Sequence, residues 1–197
     1  MKFLFDLGGV FFDWDPNHFF KDIFDKIEER EYFLNEVCND EWNIQQDAGR
    51  TIKEAEAVLI PKFPQYEKQI KMYYQNHRKM IRGTFNSSIK VLDKLKKKNY
   101  ECYVLSNWSA ETFVGMTDDY PFLQLFNGLL ISGEDKLAKP DSAIYELAIS
   151  RFNLIPQETV FIDDKLENIE AAKKLNLKTI HLVDPNIIEL EIDKFLV

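Results

Sequence analysis

Five short apolar runs, at about residues 2–6, 100–106, 129–132, 159–163 and 178–183, alternate with helical patterns at about 87–98, 109–117, 140–152 and 165–175. Strands separated by helices cannot pair as hairpins; each crosses over to lie parallel to another, which predicts an α/β fold with a doubly wound parallel sheet. The carboxyl ends of such strands open into one crevice, so the residues that terminate the runs are brought together. Those endings are polar. Lys2-Phe3-Leu4-Phe5 stops at Asp6, followed by Leu7-Gly8-Gly9, and Tyr103-Val104-Leu105 stops at Ser106-Asn107. Lys139-Pro140 follows the run that closes at Ser132, and Val160-Phe161-Ile162 stops at Asp163-Asp164.

Between about 15 and 83 the strand pattern vanishes and the text becomes helical, aromatic and charged. Tyr66, Ile70, Tyr73, His77 and Met80 share one helical face, and Thr51-Ile52-Lys53-Glu54 has the form of a capping box. An insertion after the first strand sits over the mouth of the sheet, where it acts as a lid and specificity element. The expected division is a core of residues 1–14 and 84–197 and a helical cap of residues 15–83.

A net charge of −8 argues against a nucleic-acid binder, which carries a basic surface. The dense basic run from Lys94 to Lys98 shares its helical pattern with Ile89, Leu92 and Leu95 and reads as a solvated helix face. Cys38 and Cys102 give no support to a disulfide framework. No segment approaches the about 18 apolar residues of a membrane span, and the amino terminus lacks a signal-peptide pattern. A soluble, cytoplasmic protein is expected.

In order and spacing, FDLGGVFFDWDP, EWNIQQDAGR, LSNW, SGEDKLAKPDSAIYELA and FIDDKLENIEAA resemble the haloacid dehalogenase (HAD) superfamily. They are similar to its subgroup of sugar-phosphate phosphatases, such as those acting on alpha-D-glucose 1-phosphate, and the amino-terminal phosphatase domain of soluble epoxide hydrolase. The resemblance implies a Rossmann-like core with an inserted helical cap. It also implies a Mg2+-dependent phosphatase hydrolysing a small phosphorylated metabolite, a sugar phosphate, through an aspartyl-phosphate intermediate.

Residue by residue, the resemblance makes Asp6 the nucleophile and, with Asp164 and the Gly8 carbonyl, a ligand of Mg2+, Asp163 supporting the ion directly or from behind. Carboxylates beside a phosphate repel it unless a cation intervenes, which is the physical need for the metal. Ser106 and Asn107 offer a hydroxyl and an amide to phosphate oxygens, helped by the helix expected to start near Ser109, and Lys139 offers a fixed positive charge to the transition state. Asp47 and Arg50, in the loop expected to contact substrate, are placed to bind sugar hydroxyls or a second anion; Asn168 can reach the metal's surroundings. Trp108 is expected to pack rather than touch substrate, and His18, His77 and His181 have no metal-ligand spacing.

Singly, these residues have plainer uses: Asp6 as a turn cap, Asp163-Asp164 as a helix N-cap, Ser106 as a cap, Lys139 as a surface residue, and Asp47-Ala48-Gly49-Arg50 as an interhelical turn. The chain also departs from the family pattern. Most HAD phosphatases carry a second Asp two residues after the nucleophile as general acid and base; Gly8 stands there, as it does in active phosphatases of the subgroup that this chain resembles. Its loss implies a preference for acidic leaving groups, such as an anomeric sugar hydroxyl, with Asp13 and Asp15 as substitute acids. Two alternatives stay open: a 2-haloacid dehalogenase-type hydrolase, which needs no metal, and a catalytically weak phosphometabolite-binding protein.

Overall fold

The structure, a computed structural model, describes residues 1–196. Strands β1 (Lys2–Phe5), β4 (Glu101–Ser106), β5 (Gly128–Ile131), β6 (Thr159–Asp163) and β7 (Lys178–His181) form a five-stranded sheet in the order β5-β4-β1-β6-β7. Every pairing is parallel. The crossovers are made by α6 (Asn86–Lys97), α7 (Ala110–Phe113), α8 (Met116–Asp119), α9 (Ser132–Asp135), α10 (Ser142–Arg151) and α11 (Leu166–Lys174), with α12 (Ile188–Asp193) after the last strand.

Alternate residues along each strand feed opposite faces, and because both faces are covered the runs are apolar throughout. Phe3, Phe5, Val104, Val160 and Ile162 pack with Leu92 and Leu95 of α6 and Ile188 and Ile192 of α12. Leu4, Leu105, Leu130 and Phe161 pack on the other face with Ile144 and Ala148 of α10 and Ile169 of α11. The basic run of α6 lies outside this core, with Lys94 bonded to Glu189 and Asp193 and Lys97 to Asp93. The pattern expected at 109–117 breaks into α7 and α8 because Gly115 adopts φ +78°, a left-handed conformation that ends one helix and starts the next. Pro140 lies ahead of α10 rather than in its first turn; Asp141 caps that helix, accepting the Ala143 N–H.

Two strands escaped the sequence reading. β2 (Phe12–Trp14) and β3 (Ile81–Thr84) pair antiparallel at the two ends of the helical insert, so Ile81 to Gly83 belong to this ribbon. Between them lie α1 (Asn17–Phe20), α2 (Ile27–Tyr32), α3 (Asp40–Asp47), α4 (Ile52–Leu59) and α5 (Glu67–Gln75). The insert has its own apolar cluster, with Phe20, Phe33, Trp42, Leu59, Ile70, Tyr73 and Met80 at its centre. The capping box at Thr51 is present: its hydroxyl accepts the Glu54 N–H while the Glu54 carboxylate accepts the Thr51 N–H. Both cysteines are buried and free, and among the described residues no helix is long and apolar enough to cross a membrane.

Candidate active site

β1 lies between β4 and β6, with Phe5 level with Val104 on one side and Ile162 on the other. One residue past the end of β1, Asp6 is therefore level with Leu105, next to Ser106 at the end of β4, and with Asp163 at the end of β6. Its N–H still bonds Ile162 O at 2.8 Å, which fixes where its side chain starts.

Asp6, Asp163 and Asp164 each bring a carboxylate oxygen within 4.8 Å of the others, although they come from opposite ends of the chain. Into this cluster projects Lys139, 1% exposed, with its three ammonium protons matched by three acceptors. These are Asp163 Oδ2 at 2.6 Å, Asp6 Oδ1 at 3.0 Å and Leu105 O at 3.0 Å. Burial pulls the Lys139 ammonium toward deprotonation, but Asp163 and Asp6 outweigh it and hold its pKa above the ordinary value. Asp6 is pushed up to about 7, chiefly by burial and further by Asp163 and Asp164, with Lys139 opposing. Asp164 is raised too, by burial and then by Asp163. Three carboxylates against one ammonium leave the ionised cluster two charges negative.

The oxygens are not equally free. Asp6 Oδ1 takes the Leu7 N–H at 2.7 Å as well as Lys139, which leaves Oδ2 for other work. Asp163 is saturated: beside Lys139, it accepts the Lys165 N–H at 2.8 Å and the Asn168 amide at 3.0 and 3.1 Å. Its place is behind the cluster, anchoring Lys139, and Asn168 serves Asp163. Asp164 is half-buried at the cleft and lies against Gly9. A Cβ on Gly9, where φ is +66°, would fall 2.4 Å from Asp164 Oδ2, so the second glycine of the turn makes room for that carboxylate. Gly8 has open space where a side chain would begin.

Ser106 is buried beside Asp6, and its Oγ has no well-directed hydrogen-bond partner. Asn107 lines the cleft, but its amide is engaged with Lys139: Nδ2 donates to Lys139 O and Oδ1 accepts Lys139 N–H, both at 2.9 Å. It holds the lysine's backbone in place. The helix expected to present N–H groups near Ser109 is a single turn. Trp108 packs edge-on to Phe12 and Phe113 and also lines the cleft.

The insert closes over the cluster to form a cleft of about 690 Å³. From α3 it contributes Asp40, Glu41, Asn43, Ile44 and Asp47; Trp14, Asp15 and His77 line the same space. Among the described residues, apart from Lys139, the only cationic side chain in this wall is Lys165, against Asp15, Asp40, Glu41, Asp47 and Glu167. Arg50 does not reach it, because its guanidinium turns back onto α3, donating to Gln46 Oε1 at 2.6 Å and Trp42 O at 3.1 Å. That corrects the expectation that Arg50 binds substrate. Burial drops the His77 pKa to about 4, with Arg78 adding to the effect, so this ring is neutral near pH 7.

The family model described as haloacid dehalogenase-like hydrolase matches residues 3–182. A sesquiterpene phosphatase of Aspergillus oryzae is 27% identical over 190 residues, covering 92% of this chain and 89% of that protein. A drimenol cyclase of Aspergillus calidoustus is 24% identical over 183 residues; this chain matches 90% of its own length but only 33% of that longer protein. Among solved structures, a HAD family enzyme of Bacteroides thetaiotaomicron in complex with magnesium and inorganic phosphate superposes with a TM-score of 0.67. It is 26% identical, and the match covers 91% of this chain and 92% of that one.

Proposed function

Because this chain belongs to the haloacid dehalogenase-like hydrolases, we propose that it is a Mg2+-dependent phosphomonoesterase using Asp6 as nucleophile. The observation that carries this reading is the buried acid cluster, two charges negative around a saturated lysine. A phosphate dianion cannot enter such a site unaided, and one divalent ion cancels the excess. The donor set is all oxygen, as Mg2+ requires. Asp6, Asp164 and the Gly8 carbonyl would hold the ion, while Asp163, already saturated, stays behind Lys139. When bound, magnesium supplies charge neutralisation and a clamp on phosphoryl oxygens.

The protein's own groups supply the rest. Asp6 attacks phosphorus to give an aspartyl phosphate, which water later cleaves. Lys139, already fixed by three acceptors, offers its charge to the transition state without reorganising. The unpartnered Ser106 hydroxyl is a donor for a phosphoryl oxygen. In this reading residues 15–83 are a cap over a core of 1–14 and 84–197.

The cleft wall also speaks to the substrate. Its acids repel a second phosphate or a carboxylate, and its polar α3 face suits hydroxyl groups better than a long hydrocarbon. The proposed class is a monophosphate of a neutral, hydroxylated metabolite. A panel containing sugar and polyol monophosphates, fructose 1,6-bisphosphate, phosphoglycolate and farnesyl phosphate tests this with Mg2+. Neutral polyol phosphates are expected to turn over best, and EDTA to abolish release until Mg2+ is restored. Chelator-resistant chloride release from 2-chloropropionate would identify a dehalogenase instead; tight phosphate-ester binding without turnover would identify a sensor.

Gly9 gives an independent check on the metal. Gly9→Ala places a methyl carbon on top of Asp164 Oδ2, displacing that ligand. The Mg2+ concentration for half-maximal activity is expected to rise by about 10- to 100-fold, the usual cost of disturbing the support of a metal ligand. An unchanged magnesium titration would remove Asp164 from the ligand set.

A further inference from the structure

The open space at Gly8 leaves the reaction without a proton donor on β1's loop, so a donor has to come from another carboxyl near the cleft. Asp13 lies outside the cleft and is committed to His18 at 2.9 Å and Arg82 at 2.5 Å. Those partners hold its carboxyl below the usual range despite some burial. Asp15 accepts both the Asn17 N–H and the Asn17 side-chain amide through Oδ1, which fixes it as a turn cap. Asp40, Glu41 and Glu167 are exposed at the rim. Asp163 is saturated, and Asp164 belongs to the cation cluster.

Asp47 is different. It ends α3, the helix that roofs the cleft, and lines the same space as Asp6 and Gly8. The loop after it is pressed onto the core: a Cβ on Gly49, where φ is +96°, would lie 2.6 Å from Lys136 Cγ and 3.3 Å from Gly133 O. Within α3, Asn43 Nδ2 lies 3.4 Å from Asp47 Oδ2 and holds the carboxyl toward the cleft wall. A side chain tethered to its own helix, at the end packed onto the core, is positioned, not loose.

We propose that Asp47, supplied by the insert, is the general acid and base that replaces the carboxyl missing at Gly8. This rests on the phosphatase reading above. In the first step an Asp6 oxygen bonds phosphorus as the bond from phosphorus to the leaving oxygen breaks. The leaving oxygen takes the electron pair and the Asp47 proton, giving a neutral alcohol, the aspartyl phosphate and an Asp47 carboxylate. In the second step Asp47 recovers a proton from water, whose oxygen bonds phosphorus while the bond to Asp6 breaks and its electron pair returns to Asp6. Burial lifts the Asp47 carboxyl to about 7, Asp6 adding to the rise while Lys165, Ser109 and Lys139 oppose it, so both forms exist near neutrality. Tyr73 and Tyr74, the other titratable groups that sense Asp47, are pushed up by burial and stay neutral there. With the proton coming from Asp47, Gly8 no longer restricts the enzyme to anomeric phosphates.

The test separates proton donation from binding by leaving group. With the Mg2+-loaded full chain, kcat/KM is measured on 4-nitrophenyl phosphate, whose leaving group departs without a proton, and on the best polyol phosphate from the panel. Asp47→Asn is expected to lower polyol phosphate turnover by about 10²- to 10⁴-fold and 4-nitrophenyl phosphate turnover by less than about tenfold. The alkaline limb of the polyol kcat/KM profile should also disappear. Residual aryl phosphatase activity shows that the variant is folded. Equal losses on both substrates, a loss confined to KM, or an unchanged pH profile would each overturn the assignment. Asp6→Asn in the same assay keeps the two ideas apart: if it retained both activities the phosphatase reading itself would fall.

Discussion

Asp6→Asn is expected to abolish phosphate release, lowering kcat/KM by about 10⁴-fold or more, while leaving a fully folded protein. The substitution is isosteric. An amide oxygen can still accept the Leu7 N–H and the Lys139 ammonium, which are the contacts that Oδ1 makes now. What disappears is the second carboxylate oxygen and the charge, and an amide neither attacks phosphorus nor binds a hard cation as a carboxylate does. Stability should move the other way. A carboxyl raised from 3.8 to about 7 binds its proton more tightly in the folded state than in the unfolded one. It is therefore neutral to stability below the unfolded value and increasingly unfavourable as pH rises through the folded one. In metal-free protein at pH 8, Asp6→Asn is expected to raise Tm, an advantage that vanishes near pH 4. An inactive variant that is also the more stable one would place the acid cluster among sites that trade stability for function. Phosphate release within tenfold of the parent chain would remove Asp6 from the reaction.

The sheet was legible because its signal is local. Phe3, Val104 and Phe161 are apolar irrespective of register, since both faces of a parallel sheet are buried, and the polar residues that stop each run need no partner to be seen. Asp6, Ser106, Lys139 and Asp163 were thus placed together by topology, and their roles by resemblance. The ribbon of Phe12–Trp14 and Ile81–Thr84 was not legible, because its two short strands are separated by the whole helical insert. A short strand next to an inserted domain has too little periodicity to announce itself.

Side-chain commitments were harder still. Sequence shows that Asn107, Asp163 and Arg50 are polar; it does not show that Asn107 is engaged with the backbone of Lys139, Asp163 with three donors, and Arg50 with Gln46 and Trp42. Each of these is a supporting contact, and the residue types are the same as those of groups that touch substrate. Gly9 shows the reverse case. Its identity was visible, yet the reason for it lies in Asp164, more than a hundred and fifty residues away in the chain. Asp47 was legible as a cleft residue, but not its distinction from Asp13 and Asp15, which depends on His18, Arg82 and Asn17 having claimed the other two.

Lys139→Met is expected to be the most damaging single change to the protein as a whole, lowering both stability and turnover. Methionine preserves length and apolar contact with the stem, so the loss is of the ammonium alone. Without it, Asp163 and Asp6 face each other across a buried space with no counter-charge, and Leu105 O loses its partner. Removing one member of a buried ion pair costs about 3–5 kcal/mol, because the remaining charge stays desolvated. For a domain of this size that corresponds to a fall in Tm on the order of 10 °C. Because Asp6 already titrates near 7, acidification neutralises part of the uncompensated charge, so the deficit should shrink as pH is lowered from 8 toward 5. Added Mg2+ should recover part of the Tm, since a cation then returns to the cluster, but not the activity. Loss of a preorganised transition-state charge costs about 10²- to 10³-fold in kcat, and magnesium cannot occupy the place of Nζ while holding phosphate. The measurement is a pair of thermal melts across pH, with and without Mg2+, beside kcat on the same preparations. A variant whose Tm matched the parent chain at pH 8 would mean that the three acids do not share the lysine's charge, and the electrostatic account of the site would fail with it.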